Sequence, residues 1–201
     1  MYSPFEIWRP NERIFMKMLK NPKVAAKLLW RPRDCKRDRA FTLKQMIEFG
    51  KFPRFDREIN EENFPIIIGE GIESQRIHFF SRRFGLEVDT LTALKRIGKR
   101  GGVPIGIEWL LALGAKVPWL QRASPIVALG SWCKSEFMGR DGFAVPLLVE
   151  IGNERELSLT RCYDVLSHKW AADYRFPYII PAEGYVMGDS IRQLMERAAK
   201  S

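Results

Sequence analysis

The chain has few of the side chains on which metal sites, disulfides and acid–base catalysis most depend. Its 201 residues include only three cysteines and two histidines. Cysteines this far apart in sequence exclude a disulfide framework and a zinc site of the paired-cysteine kind, and they favour unpaired thiols in a reducing cytosol. The sequence therefore predicts a cytoplasmic protein that holds no metal ion and no other cofactor.

Long apolar runs are also absent. The most apolar segment, 103–120, is interrupted by Glu108, Lys116 and two prolines, which favours a buried helix over a membrane span. The glycines of segment 98–102 resemble a phosphate loop, but the segment lacks the Lys-Ser or Lys-Thr ending that such a loop needs. We expect neither a membrane partner nor a bound nucleoside triphosphate.

Catalytic patterns are nearly absent. His168 lies close in sequence to Lys169, Tyr163 and Cys162, a group that a metal-independent nuclease could use for acid–base chemistry. A histidine with a purely structural role fits the same residues. The sequence therefore favours a protein that is not an enzyme, with His168 as its single weak catalytic candidate.

Positive charge is abundant, and it is concentrated. Residues 9–44 contain twelve Lys or Arg and three acids, so the excess of this stretch equals the net charge of +9 of the whole chain. A localised positive field attracts polyanions, and interleaved aromatic residues can stack on bases or anchor a core. The predicted nucleic-acid contacts here are Arg13, Lys17, Lys20, Lys23, Lys27, Arg31, Arg33, Lys36, Arg37 and Arg39.

Helical periodicity dominates the first 120 residues. Apolar spacing and capping residues predict two short basic helices on either side of Asn21–Pro22, and Thr42 is a predicted cap for a third helix. Segment 33–39 reads as a charged loop, and segment 64–68 as a short strand. Further helices are predicted over 74–85, 89–98 and 104–115.

The pattern changes after Lys116. Alternating apolar residues predict strands over 125–132, 143–151, 155–163 and 175–180, with turns at 140–142 and 152–153, and Asp189 caps a final helix. The sequence thus predicts an α+β fold, with a helical N-terminal half containing a helix-turn-helix-like pair, then a small antiparallel β module and a C-terminal helix. The predicted domains are a basic, mainly helical one over 1–120 and the β module with its helix over 121–201.

Segment 77–96 carries the sharpest local pattern. Small Ser81 stands where two helices would approach closely, and Gly85 stands at the turn, where a positive φ is needed. The segment resembles the helix-turn-helix of many DNA-binding proteins. The resemblance implies that a second helix near Asp89 enters a major groove, although a plain helical hairpin fits the same spacing. The nucleic-acid contacts assigned to this region are Thr92, Lys95, Arg96, Lys99 and Arg100.

Together these patterns predict a non-catalytic nucleic-acid-binding protein that uses residues 9–44 and 74–100. DNA is slightly favoured over RNA because of the helix-turn-helix resemblance, and the neutral C-terminal half is available to protein partners, as in a subunit of a nucleoprotein complex. One alternative is an adaptor or inhibitor that docks on an acidic protein surface. A second alternative is a metal-independent nuclease.

Overall fold

The computed structural model describes residues 30–80, 87–183 and 189–200. Contacts between residues group Pro32–Ser201 into one compact unit and Met1–Arg31 into another, and the fold described below is that of the first. Helices and strands alternate through it without a helical half. The helices of the described residues are α1 (Leu43–Gly50), α2 (Thr90–Gly98), α3 (Ile107–Lys116), α4 (Leu120–Ala123) and α5 (Asp189–Lys200).

Strand residues outnumber helical residues in the described part of the chain. The longest strand, Arg140–Ile151, has 12 residues, and two others, Ile72–Phe80 and Glu154–Cys162, have nine each. The strands are β1 (Arg33–Asp38), β2 (Arg54–Phe55), β3 (Ile72–Phe80), β4 (Val88–Asp89), β5 (Val103–Pro104), β6 (Ile126–Val127), β7 (Cys133–Phe137), β8 (Arg140–Ile151), β9 (Glu154–Cys162), β10 (Lys169–Trp170) and β11 (Phe176–Ile179).

Two sheets form the framework. The first has the antiparallel order β1-β3-β11-β5, with Arg33 of β1 opposite Ile77 of β3. The second has the order β2-β9-β8-β6, with β7 also paired to β8, and its only parallel pair joins β2 to β9. A separate two-stranded ribbon pairs β10 with β4. Strands from both sides of residue 120 therefore share each sheet.

Two tight turns set the register of the second sheet. Gly152 and Asn153 join β8 to β9 with φ values of 60° and 67°, which is the left-handed conformation that a two-residue hairpin turn needs. Met138 and Gly139 join β7 to β8 in the same way, with φ values of 52° and 73°. The turn predicted at 152–153 is thus confirmed, whereas the one predicted at 140–142 lies inside β8.

Helices cover the sheets and close the core. A buried cluster joins Leu94 of α2 and Leu194 of α5 to Val145 of β8 and Phe176 of β11. Elsewhere α3 packs against β8, where a β-carbon on Gly114 would lie 2.7 Å from Leu148 Cδ1. No described helix has the length and apolar character that crossing a bilayer requires.

The predicted helical N-terminal half with a helix-turn-helix-like pair is wrong. Residues 72–80, assigned largely to its first helix, form β3, an inner strand that pairs with β1 on one side and β11 on the other. Ile and Phe in this segment have higher strand than helix preference, and the two neighbouring strands satisfy its backbone. The two basic helices predicted before residue 30 lie outside the described residues.

Among the other local predictions, some are wrong and some are confirmed. Most of segment 33–39, predicted as a loop, is β1 (Arg33–Asp38), because its backbone pairs with β3 while Arg33 and Cys35 turn inward. Segment 64–68 is not a strand, and Pro177 lies in an inner strand rather than at an edge. The helices predicted after Thr42, after Asp89, over 104–115 and at the C-terminus are confirmed, as are the long strands β8 and β9.

Candidate nucleic-acid interface

Helix α2 carries the predicted contact residues nearest to one another. Asp89 is its N-cap, and the Asp89 carboxylate accepts a hydrogen bond from the Thr92 backbone N–H at 2.6 Å and another from the Thr92 hydroxyl at 2.9 Å. This cap satisfies one of the donors that a helix start leaves open. The Thr92 side chain is therefore held by the cap at the start of the helix.

The inner face of α2 fixes which side chains face solvent. Ala93, Leu94 and Ile97 are completely buried in the core cluster. Charged residues occupy the opposite, exposed face of the helix, as its period of 3.6 residues predicts. The exposed residues at this end, called here the helix-end patch, are Lys95, Arg96, Lys99 and Arg100.

The end of α2 suits positive charge. The Arg100 backbone N–H donates to the Ile97 carbonyl at 3.0 Å, and the Gly102 N–H donates to the same carbonyl at 3.1 Å. Gly101 permits this closure because its φ of 69° lies in the left-handed region. Cations near the carbonyl end of a helix are favoured by the helix dipole, so the patch costs the fold little.

Two guanidinium groups of the patch lie over one aromatic ring. The Arg96 Cζ is 6.0 Å and the Arg100 Cζ 5.5 Å from the centroid of Phe80. Phe80 is only 2% exposed, and cation–π contacts of this kind orient the guanidinium groups. The ring of β3 thus supports the patch from beneath, a role that the sequence prediction missed because it placed Phe80 in a helix.

The patch has no acidic partner among the described residues. None of its four side chains makes an ion pair there, and α2 has no acid in its first turn. Lys95 and Lys99 stand one helical turn apart on the exposed face. The patch is therefore a cluster of four cations with no ion pair to any acid that the structure describes.

Arginines of the predicted basic stretch that lie in β1 and just after it are already used by the fold. Arg33 is nearly buried, with its guanidinium 5.6 Å from the Trp119 ring. Arg37 donates to the Glu73 carboxylate at 2.8 Å. The Arg39 guanidinium fills the space beside Gly69, and the Arg39 backbone N–H donates to the Gly71 carbonyl at 3.0 Å.

Two other predicted contacts of this stretch lie on the surface. Lys36 and Arg31 are exposed, and Lys36 stands opposite Ser74 on the outer side of the first sheet. The structure therefore brings the helix-end patch together but does not add Arg33, Arg37 or Arg39 to an exposed surface. The remaining predicted contacts lie outside the described residues: Arg13, Lys17, Lys20, Lys23 and Lys27.

The first turn of α2 does not present the surface expected of a recognition helix. Thr90 and Ala93 lie in the part of the helix that a recognition helix would expose to a groove, but both are completely buried. The Thr90 hydroxyl accepts a hydrogen bond from Trp170 Nε1 at 2.8 Å. This correction follows from the ribbon β4–β10, which covers the start of the helix, so base reading by these residues is excluded.

The catalytic candidate His168 lies at the opposite end of α2 from the patch. Its carbonyl accepts a hydrogen bond from the Thr90 N–H at 3.1 Å, and its ring packs edge-on against Trp170 at 4.5 Å. Partial burial lowers the pKa of His168. The patch begins at Lys95, five residues after Thr90 and about 8 Å further along the helix axis, so His168 and the patch lie at different ends of the helix.

No group of three or more His, Cys, Asp or Glu with the spacing of a metal site is found in 30–80, 87–183 or 189–200. Burial raises the pKa of the Cys35 and Cys162 thiols to about 11, which keeps both protonated and unreactive at neutral pH.

Comparison with known proteins found no matching family model, curated protein or solved structure.

Proposed function

We propose that this protein binds nucleic acid without catalysing a reaction, and that the helix-end patch contacts phosphate groups. The observation that carries the proposal is the clustering of Lys95, Arg96, Lys99 and Arg100 within six residues on an exposed surface, with no ion pair to any described acid. Unpaired cations release counterions from nucleic acid when they meet its phosphates, and this release drives binding.

The arrangement favours contacts to the backbone over contacts to bases. The patch lies at the C-terminal end of α2, and the start of that helix is buried under β4 and β10. Lys95 and Lys99 reach outward as flexible cations, which fix position on a nucleic acid but carry no sequence information. We therefore propose binding that depends little on sequence, and we assign no preference between DNA and RNA.

The basic residues before residue 30 would add to this binding. Arg13, Lys17, Lys20, Lys23 and Lys27 supply five cations in fifteen residues of sequence. Their contribution is proposed from charge alone. In this proposal they raise affinity for any strand, and the helix-end patch supplies the contacts whose geometry is fixed by the fold.

Charge reversal in the patch tests the proposal. Lys95→Glu with Lys99→Glu removes two contacts without disturbing the guanidinium groups over Phe80. We expect this double variant to bind a 20-base-pair DNA and a 20-nucleotide RNA about 10- to 100-fold more weakly in fluorescence anisotropy, because each lost phosphate contact lowers affinity. The matched control is Lys134→Glu with Arg140→Glu, which changes the same charge at the exposed β7–β8 hairpin.

The control also separates this function from docking on an acidic protein. Equal losses in both double variants would show that net charge, rather than the patch, sets the affinity, and would contradict the proposal. A wild-type protein that binds neither nucleic acid but is retained by polyglutamate would favour the adaptor interpretation. Circular dichroism of each variant establishes that the fold is intact.

A further inference from the structure

The first sheet has one covered face and one open face. Alternate residues of a strand point to opposite faces, and Ile77 of β3 is completely buried on the covered face. Lys36 of β1 and its neighbours Ser74 and Arg76 of β3 are exposed on the other face. His78, the next residue of β3 on that face, is partly exposed. The four residues Lys36, Ser74, Arg76 and His78 are called here the outer face.

The outer face continues into the helix-end patch. Phe80 follows His78 by two residues, on the same face and roughly 7 Å further along β3. Arg96 and Arg100 lie over the Phe80 ring, at 6.0 and 5.5 Å from its centroid. The patch therefore lies at the His78 end of the outer face, and Lys36 lies towards its other end. A strand that is held by the patch and extends along β3 crosses the middle of this face before it reaches Lys36.

Two flat groups occupy the middle of the outer face. The His78 ring stacks on the Tyr178 ring of β11, with centroids 5.4 Å apart and an interplanar angle of 28°. Arg76 donates from Nε to Asp34 Oδ1 at 2.8 Å and from Nη2 to Asp34 Oδ2 at 3.3 Å. Two parallel hydrogen bonds of this kind hold the guanidinium plane in one orientation. Because Arg76 and His78 are two residues apart on one strand, the two flat groups are neighbours on the same face.

The charges of these two groups favour contact with unpaired bases over contact with phosphates. Partial burial and the nearby Arg76 lower the pKa of His78, so its ring is neutral at pH 7, and Asp34 balances the charge of Arg76. Unpaired bases stack on aromatic rings, histidine included, and on guanidinium planes. Lys36 differs from both, because it makes no ion pair with any acid that the structure describes.

We propose that the outer face binds an unpaired nucleic-acid strand that continues from the helix-end patch, with a base stacked on the His78 ring beside the Arg76 guanidinium and a phosphate against Lys36. The inference rests on the proposed function, because the patch holds the same strand. It adds a requirement for unpaired bases to a patch that contacts phosphates alone. Every base has a flat face, so the site tolerates any sequence.

A strand without bases tests the stacking on His78. A 12-nucleotide thymidine strand is compared in fluorescence anisotropy with an abasic strand of the same length, which has the same phosphates. We expect the wild type to bind the thymidine strand about tenfold more tightly, because only its bases can stack. His78→Leu should abolish this preference, and His78→Phe should keep it. The matched control is His168→Leu, which replaces the only other histidine of the chain and should also keep the preference.

Lys36→Gln tests the phosphate contact at the far end of the outer face. We expect the slope of log affinity against log salt to become shallower by about 0.7 unit for both strands, which is the value for one phosphate contact on a single strand. Lys134→Gln, at the exposed β7–β8 hairpin, should leave the slope unchanged. Equal slopes in the two variants would overturn the assignment of Lys36 to the site.

The patch variant separates failure of the outer face from failure of the proposed function. Lys95→Glu with Lys99→Glu should weaken binding of both strands to the same extent and keep the preference for bases, because the two strands share their phosphates. Equal affinity of the wild type for the two strands would overturn the outer-face site while the proposed function stands. A preference for bases that survives in His78→Leu would overturn the site in the same way.

A titration with adenosine monophosphate applies if neither strand binds, in which case the proposed function falls. The ring signals of both histidines are followed in nuclear magnetic resonance spectra. A shift of the His78 signals, with those of His168 unchanged, would establish that the outer face stacks a base without a strand. Unchanged His78 signals would overturn the outer-face site as well.

Discussion

Arg37 is a residue of the basic stretch whose side chain stabilises the fold. Its guanidinium lies 2.8 Å from the Glu73 carboxylate, 3.7 Å from the Glu108 carboxylate and 5.1 Å from the Trp109 ring centroid. The Arg37 side chain is only 10% exposed. An arginine enclosed by two acids and an aromatic ring is not accessible to a phosphate group. The net charge of the basic stretch therefore overstates the positive charge that is available for binding.

Glu108 lies farther from the Arg37 guanidinium than Glu73 does. Burial raises the pKa of Glu108, and the more distant Arg37 only partly opposes that effect. A carboxyl group with a raised pKa binds a proton more tightly in the folded protein than in the unfolded chain. The free energy of unfolding therefore falls as the pH rises from the ordinary pKa of Glu108, 4.5, through its folded-state value.

Glu108→Gln should reveal this cost. The neutral amide has no charge to desolvate, so we expect the variant to be more stable than the wild type at pH 7. The difference should shrink below about pH 4.5, where the glutamate is protonated in both states. Urea unfolding followed by tryptophan fluorescence at pH 4 and pH 7 measures it, with Glu136→Gln as an exposed control. A difference independent of pH would contradict the account.

At the scale of elements, Arg155 of β9 holds the ends of two helices. Its two terminal nitrogens donate to the Gly50 carbonyl at 3.1 Å and to the Gly114 carbonyl at 2.8 Å, and its guanidinium lies 4.8 Å from the Phe52 ring centroid. The last carbonyls of a helix lack partners within the helix. One side chain therefore ties α1 and α3 to the second sheet.

Arg155→Met keeps the length of the side chain but removes both donors. We expect a loss of about 2 to 4 kcal/mol in the free energy of unfolding, because two partly buried carbonyls lose hydrogen bonds from a charged group. Arg76→Met is the matched control, since Arg76 pairs with Asp34 on the surface at 2.8 Å and should leave stability unchanged. Equal effects of the two variants in urea unfolding would contradict this role.

Helices with strong local signals were predictable from the sequence, and strands whose pairing depends on distant residues were not. Thr42 and Asp89 cap α1 and α2 through hydrogen bonds that span three residues, so the sequence alone contains the information. The strand β3 depends on β1 and β11, which lie far from it in sequence. Tertiary pairing overrode an apolar spacing that also fits a helix.

The candidate site was predictable to a similar extent. Cations at positions 95, 96, 99 and 100 follow directly from sequence, and the helical period correctly indicates that they share one face. The support of Arg96 and Arg100 by Phe80 depends on the position of β3, which was wrongly predicted. The loss of Arg37 to an internal ion pair depends on Glu73 and Glu108, whose proximity no local pattern reveals.

For the whole molecule, the account replaces one diffuse basic region by one surface of fixed geometry. The helix-end patch supplies cations for phosphates, whereas Arg33, Arg37 and Arg39 are used inside the fold. The net charge of +9 raises the rate of encounter with a polyanion, but only cations without internal partners contribute to the contacts that persist. The central claim is that Lys95 and Lys99 are among them.

The salt dependence of binding tests that claim most directly, because it counts the phosphates that the protein neutralises. Affinity for a 20-base-pair duplex is measured between low and physiological salt for the wild type, for Lys95→Gln with Lys99→Gln, and for Lys134→Gln with Arg140→Gln. The account predicts a slope of log affinity against log salt that is shallower by about two units in the first variant and unchanged in the second. A slope for the Lys95→Gln, Lys99→Gln variant equal to that of the wild type would contradict the account.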